Sequence, residues 1–319
     1  MKVLFVSSGN KEFNISPFVS SQGKSLENNG VVIDYFIIQG KGLIGYLKNI
    51  PILRKKIKMN GYDVIHSHYS FSGWISVLTF CKVPQVLSFM GTDVYGNVDE
   101  KGKPKLKGKI NYFISKLIQP FVNQIIVKSK RLGNYVYLKN KMHVVPNGVD
   151  FERFKPVERS EARDKINLIS NKKQILFLGN KNNARKNYAL LKNAFEYLNS
   201  SEYDLLPFEY PVEKELIPYY INSADVVIMT SYLEGSPNVV KEAMACNIPV
   251  VSVDVGDVPE IIEKTQGCYI VEYEAKNLSD KIKKACTFKN TSGRKDISHL
   301  EINNVANTII KIYNKAKGI

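Results

Sequence analysis

The sequence predicts an α/β chain of two Rossmann-like domains, and three observations carry that prediction. Short β-rich runs alternate with amphipathic stretches through the first half, as in a parallel sheet covered by helices. The pattern stops at Pro146-Asn147-Gly148-Val149-Asp150, where a proline without an N–H donor meets an Asn-Gly turn, and it restarts at Gln174. A length of 319 residues suits two domains of roughly 100–200 residues each. The expected domains are therefore 1–150 and 151–319.

In the first domain the expected strands are Lys2–Ser7, Val31–Ile38, Val64–Ser67, Gln85–Phe89, Gln124–Val127 and His143–Val145, with helices between them. The second domain opens with a strand at Gln174–Leu178. A loop led by Gly179 follows, then a helix on which Leu190, Leu191, Ala194, Phe195 and Leu198 recur at helical spacing. Further strands are expected at Asp225–Met229 and Pro249–Val253. The closing stretch Ile302–Ala316 repeats apolar residues every three or four positions, so it should form an amphipathic helix, which could pack back on the first domain.

Composition narrows the class. Apolar residues make up 44% of the chain and are spread along it, which favours a folded core over disorder. No run approaches the roughly 18–20 apolar residues of a membrane span, and Lys2–Val6 is short for a signal peptide, so a cytoplasmic protein is expected. Cys81, Cys246, Cys268 and Cys286 are far apart and form no C-x-x-C pair, which points to reduced thiols. Of the formal charge of +15, residues 1–150 carry +13, which suggests an anionic partner on that side.

The most specific stretch runs from Ser231 to Val251 and reads as strand end, loop, helix and strand. Ser236 suits an N-cap and Pro237 the first helical position, while Val239, Ala243 and Cys246 mark one buried face. A helix start above the strand ends is an anion site, because its unpaired N–H groups and its dipole both favour negative charge. Glu234 on the loop and Glu242 on the helix bracket that start. Carboxylates repel phosphate, so the pair suits a ligand with hydroxyls on both sides of a diphosphate. The plainer alternative is a capping Glu234 and a solvent-facing Glu242.

With these residues in hand, the sequence resembles retaining glycosyltransferases of family 4, which have the GT-B fold of two Rossmann-like domains facing a central cleft. The resemblance rests on the E-x7-E motif from Glu234 to Glu242 and on Ala243-Met244-Ala245 continuing to Pro249-Val250-Val251. It implies that Glu242 binds the donor ribose, that Glu234 contacts the transferred sugar, and that the segment Gly235, Ser236, Pro237, Asn238 and Val239 faces sugar and diphosphate with its amides, of which Pro237 alone has no N–H to give. Val145–Asp150 and Tyr220–Asp225 match further landmarks of the family. Family members also carry an Arg and a Lys after the first strand of the second domain, holding the donor phosphates. Lys186 matches that Lys, but Asn180 stands where the Arg is expected, leaving Arg185 or Lys181 as its substitute.

On the acceptor side, Asp63–His68 and Ser88–Val94 also resemble the family. Many relatives have His directly before the Gly-Thr-Asp run, and this chain has Met90 there, which turns attention to Asp93 and His68 as polar groups of the wall. His66 and His68 alternate on a strand end and could equally pair with backbone groups, and they lack a third metal ligand at suitable spacing.

The expected reaction is transfer of a sugar from a nucleotide-diphosphate sugar to an acceptor hydroxyl, with configuration retained, without metal or cofactor, in polysaccharide or glycolipid synthesis. Catalysis would rest on Lys186, a nearby Arg and the helix-start amides stabilising the departing diphosphate, with Glu234, Asp93 and His68 around the reacting sugar. A GT-B epimerase or a phosphorylase is the main rival. An oxidoreductase is weaker because Ser7-Ser8-Gly9-Asn10 lacks G-x-G-x-x-G, and no nucleic-acid-binding module is recognisable. The acceptor could be a glycan or a lipid-linked sugar. Tyr46–Lys58, which interleaves apolar and basic residues, and the lysines 101, 103, 105, 107 and 109 suggest peripheral contact with an anionic membrane.

Overall fold

The computed structural model describes residues 1–9, 15–40, 42–96, 106–209 and 212–319, with 106–109 in backbone only. The chain divides into two compact units: one holds residues up to Gly148 together with Ile302–Ile319, and the other is built from Val149–Glu301.

Unit 1 contains β1 (Lys2–Ser8), β2 (Val32–Ile38), β3 (Val64–His68), β4 (Gln85–Phe89), β5 (Gln124–Val127) and β6 (Met142–Val144). They form one parallel sheet in the order β2-β1-β3-β4-β5-β6. The interior strands read as near-continuous apolar runs because helices cover both faces; Val3, Leu4, Phe5 and Val6 of β1 are fully buried.

The last helix, Ile302–Lys317, belongs to unit 1. Its Val305, Ala306, Ile309, Ile312 and Tyr313 pack with Val3, Phe5, Val19 and Val86. Tyr313 also hydrogen-bonds through its hydroxyl to His66 Nδ1 at 2.6 Å, and Lys317 donates to Asp63 at 2.9 Å. A C-terminal amphipathic face thus completes the core of the N-terminal sheet.

Unit 2 contains β7 (Lys173–Leu176), β8 (Tyr203–Leu205), β9 (Val226–Met229), β10 (Val250–Val253) and β11 (Tyr269–Val271), parallel and ordered β11-β10-β9-β7-β8. The sequence reading misses β8 and β11, edge strands of three residues each. Asp225 anchors the entry to β9. Its buried carboxylate accepts from Arg159 at 2.6 Å, Lys173 at 3.3 Å and the Gln174 amide at 2.8 Å, so the charge is paired where it leaves water.

The basic surface of unit 1 differs from the expectation in one respect. Helix Asn49–Asn60 covers most of the Tyr46–Lys58 stretch, yet Leu53 and Ile57 pack into the core beside Val6, Phe36 and Ile65, so they do not supply a free apolar face. The exposed large apolar residues there are Leu43, Ile44 and Leu47 of the preceding helix, together with Ile52 and Met59. Lys101, Lys103 and Lys105, like the side chains of Lys107 and Lys109, lie outside the described residues. Among the described residues no helix is long and apolar enough to cross a membrane.

Candidate active site in unit 2

In a doubly wound sheet, ligands gather at the carboxyl ends of the strands where the strand order reverses. In unit 2 that point lies between β7 and β9, since β7 has β8 on one side and β9 on the other. A cavity of about 440 Å³ opens there, lined by Gly179 and Asn180 after β7, by Arg185 and Lys186, and by Val239 and Glu242 of the helix Asn238–Ala245 that follows β9.

The segment after β7 is shaped by its own asparagines. Asn180 Oδ1 accepts from the Asn182 amide and Asn183 Oδ1 from the Arg185 amide, closing turns that lead into a short 3-10 turn at Ala184–Lys186. Asn187 then takes a left-handed conformation, φ 49°, which asparagine tolerates better than most residues. Two bonds tie this loop to the segment after β9: Thr230 Oγ1 donates to the Lys186 carbonyl and the Tyr232 amide to the Arg185 carbonyl, both at 2.9 Å.

That stitching delivers Arg185 and Lys186 to Glu234. Arg185 Nη1 lies 2.8 Å from Glu234 Oε2 and also donates to the Leu233 carbonyl, while Lys186 Nζ lies 2.9 Å from Glu234 Oε1. Burial pushes the Glu234 carboxyl up, but the charges and hydrogen bonds of Lys186 and Arg185 outweigh it and hold the group below its ordinary range. Glu234 is therefore a carboxylate at neutral pH. Of the two candidates for the missing arginine, Arg185 lines the cavity with Lys186, whereas Lys181 stacks its ammonium 5.4 Å from the Tyr188 ring.

Glu242 sits on the helix Asn238–Ala245 and faces the same cavity. Its carboxyl is raised to about 7, mainly by burial, against the opposing pull of Arg153, Lys241 and Lys186. The two glutamates of the motif thus sit in opposite electrostatic states, one neutralised by two cations and one poised near neutrality.

The helix start differs from the expected cap. Pro237, at φ −70° and ψ 123°, occupies the N-cap position and Asn238 opens the helix. Ser236 instead accepts from Lys241 Nζ at 2.7 Å and donates to Asp257 Oδ2 at 2.6 Å. Lys241 is fully buried, as is the Val240, Ala243, Met244 face, whereas Val239 is only half-buried and lines the cavity. Gly256, at φ 60°, backs the same loop; a Cβ there would come within 2.9 Å of the Gly235 carbonyl. Sequence reading missed Lys241 and Asp257. The available signal was a lysine directly before Glu242 on a helix otherwise rich in apolar residues.

In unit 1, Asp93 accepts from the Met90 and Gly91 amides at 3.0 and 2.9 Å and from the Ser70 amide at 3.1 Å. Burial raises its carboxyl to about 6, partly countered by those amides. His68 departs from the expectation of a wall residue. It is fully buried in β3, bonded to Gln22 at 2.8 Å and stacked 4.3 Å from His66, and burial lowers it to about 3. The imidazole is therefore neutral and enclosed, with Nδ1 buried and without a hydrogen bond. Among the described residues no cluster of His, Cys, Asp or Glu could hold a metal ion.

Comparison with known proteins agrees with this architecture. Residues 208–297 match the family model "Glycosyl transferases group 1", and residues 10–153 match "Glycosyltransferase Family 4". The putative teichuronic acid biosynthesis glycosyltransferase TuaC of Bacillus subtilis is 24% identical over 242 residues, which cover 69% of this chain and 60% of that relative. The chain thus spans less than two thirds of that protein. Sucrose-phosphate synthase from Thermosynechococcus elongatus shares the fold, with a TM-score of 0.77 at 17% identity over 98% of both chains. HepE from Anabaena, solved in complex with UDP, gives 0.73 at 16% identity over 98% of this chain and 99% of that one. The fold is GT-B, and a stretch in each half of the chain matches a glycosyltransferase family model.

Proposed function

We propose that this chain transfers a glycosyl group from a nucleoside-diphosphate sugar to an acceptor hydroxyl, with retention of anomeric configuration and without a metal ion. The observation that carries the reading is the convergence of Arg185, Lys186 and Glu242 on one cavity, with Glu234 held by the two cations. Cations beside the cavity can take a diphosphate, and a carboxylate opposite them can accept from ribose hydroxyls. Glu234 then serves the transferred sugar. As the diphosphate departs, Arg185 and Lys186 exchange part of their attraction to Glu234 for attraction to the developing charge. The UDP named in the HepE structure supports a nucleotide in a fold of this kind.

The rival epimerase chemistry is not separated by fold alone, since a UDP-GlcNAc 2-epimerase from Methanocaldococcus jannaschii also resembles this chain, with a TM-score of 0.60 at 12% identity. The two family models favour transfer. A panel of nucleotide sugars, scored for released nucleoside diphosphate in the presence of EDTA, tests the proposal. Release that requires an acceptor sugar supports it; epimerised donor without release overturns it.

Synthesis of cell-surface polysaccharide or glycolipid fits the proposed reaction, and a lipid-linked acceptor would bring the chain to an anionic membrane. The +13 charge of residues 1–150 and the exposed Leu43, Ile44 and Leu47 support peripheral contact. Co-sedimentation with phosphatidylglycerol vesicles should fall with added salt and with Leu43→Glu; no binding at low salt would defeat it.

A further inference from the structure

Beside the cavity that Glu242 faces, three polar side chains are buried together. Lys241, on the helix Asn238–Ala245, has no exposed surface, and Ser236 and Asp257 are more than nine-tenths buried. Lys241 Nζ donates to Ser236 Oγ at 2.7 Å, and Ser236 Oγ donates to Asp257 Oδ2 at 2.6 Å. A serine hydroxyl has one hydrogen, so with that hydrogen given to Asp257 the oxygen meets Lys241 as acceptor. An ammonium and a carboxylate are thereby joined through one hydroxyl.

Stability alone does not call for these charges. Val240, Ala243 and Met244 of the same helix pack into the apolar core, and replacing a buried ion pair by apolar groups of similar volume is often neutral or stabilising. The polarity is not even fully used, because Asp257 Oδ1 is buried without a hydrogen bond. Burial lowers the Lys241 ammonium from its ordinary value and raises the Asp257 carboxyl, and the charge of each opposes the shift of the other.

What the position does give is proximity to both glutamates of the motif. Lys241 directly precedes Glu242 and is one of three cations, with Arg153 and Lys186, that oppose burial at that carboxyl. The Cys246 thiol, which also feels Glu242, is raised by burial to about 12 and stays neutral. On the other side, Asp257 follows Gly256, whose φ of 60° lets the chain lie against the backbone that carries Glu234. A Cβ at Gly256 would come within 2.9 Å of the Gly235 carbonyl oxygen and 3.1 Å of that of Glu234. The helix, the loop before it and the loop after β10 are thus tied at one point.

We propose that Lys241 is a positioning residue of the donor site: held through Ser236 to Asp257, it fixes the segment from Glu234 to Glu242 and sets a buried positive charge beside Glu242, a role that rests on the reading of Glu242 as a ribose-binding group. Its side chain lies inside the fold, so it acts through Glu242 and the loop, without touching the ligand.

Binding of nucleoside diphosphate tests this without turnover. Calorimetry on the full chain with UDP, GDP and ADP should show, for at least one of them, an affinity that is full above about pH 7 and lost as Glu242 takes up a proton below it. Titration of the nucleotide's own phosphate is common to every variant, so differences between variants belong to the protein. Lys241→Met combined with Asp257→Asn removes both charges at once and strands neither. In that double variant the midpoint should move to higher pH by about half a unit to one unit, weakening binding at pH 7 roughly twofold to fivefold and at pH 9 much less. Lys241→Gln keeps a donor for Ser236 and drops the charge, and it carries the same expectation should the double variant fold poorly. In a Glu242→Gln background neither replacement should move the pH dependence, whereas a purely structural role would weaken binding alike at every pH. An unshifted midpoint in both variants, or a shift that persists with Glu242→Gln, would overturn the proposal. If the wild-type chain binds none of the three nucleotides, the donor-site reading fails and this role fails with it. Binding that shifts as expected, with no release from any nucleotide sugar, would instead defeat the transferase reading and leave the positioning role standing.

Discussion

Glu242→Ala should raise the donor KM about tenfold to a hundredfold while changing kcat much less. A hydrogen bond to a charged group contributes about 1.5–3 kcal/mol, and each 1.36 kcal/mol is a factor of ten. Glu242 is assigned to the ribose, which does not change during transfer, so its contacts bind ground state and transition state alike. The pH profile adds a sharper signature. Burial places the Glu242 carboxyl at about 7, and ribose hydroxyls that donate to it need the ionised form. Below pH 7 the protonated group loses acceptor capacity, so kcat/KM should fall as pH drops through about 7 and level off above it. Glu242→Gln should remove that limb of the profile. Unchanged donor KM in Glu242→Ala, or a limb near pH 7 that persists in Glu242→Gln, would remove Glu242 from the donor site.

The fold was legible where strands are long and buried on both faces: the runs around Val3–Val6, Ile125–Val127 and Val226–Met229 carry enough consecutive apolar residues to announce themselves. The edge strands at Tyr203–Leu205 and Tyr269–Val271 do not. The glutamates were legible from local spacing, since Glu234 and Glu242 fall on one loop-helix segment. Their electrostatics were not. The partners of Glu234 are 48 and 49 residues away in sequence, and only the stitching of the post-β7 loop to Thr230 and Tyr232 brings them together. His68 was offered as a polar wall residue because Met90 stands where relatives have His, but β3 lies inside a parallel sheet, where every residue from Val64 to His68 is buried. Lys241 escaped notice for a related reason: a lysine reads as a surface residue, and this one is accommodated in the interior because Ser236 accepts its hydrogen bond.

Lys186→Ala should lower kcat/KM at least about tenfold, most of it in kcat. A contact to a leaving diphosphate strengthens as charge develops, so its loss weighs on the transition state more than on donor binding. The structure adds a condition that spacing could not supply, because Lys186 is already paired with Glu234 at 2.9 Å and Arg185 shares the same carboxylate. In Lys186→Ala, Arg185 still neutralises Glu234, and the loss reports the phosphate contact with little disturbance of the sugar side. In Glu234→Ala both cations are freed from their counter-charge, so the donor diphosphate should bind as well or better while turnover falls. A double-mutant cycle on Lys186 and Glu234 separates these effects. Both groups contact each other and serve the same transition state, so the combined loss should be smaller than the sum, by about 0.5–3 kcal/mol of coupling. Arg185→Ala should cost less than Lys186→Ala, since Arg185 divides its donors between Glu234 and the Leu233 carbonyl. Equal and negligible losses in the two single cation variants would take the loop after β7 out of catalysis, and strict additivity in the cycle would show that the observed ion pair has no part in transfer.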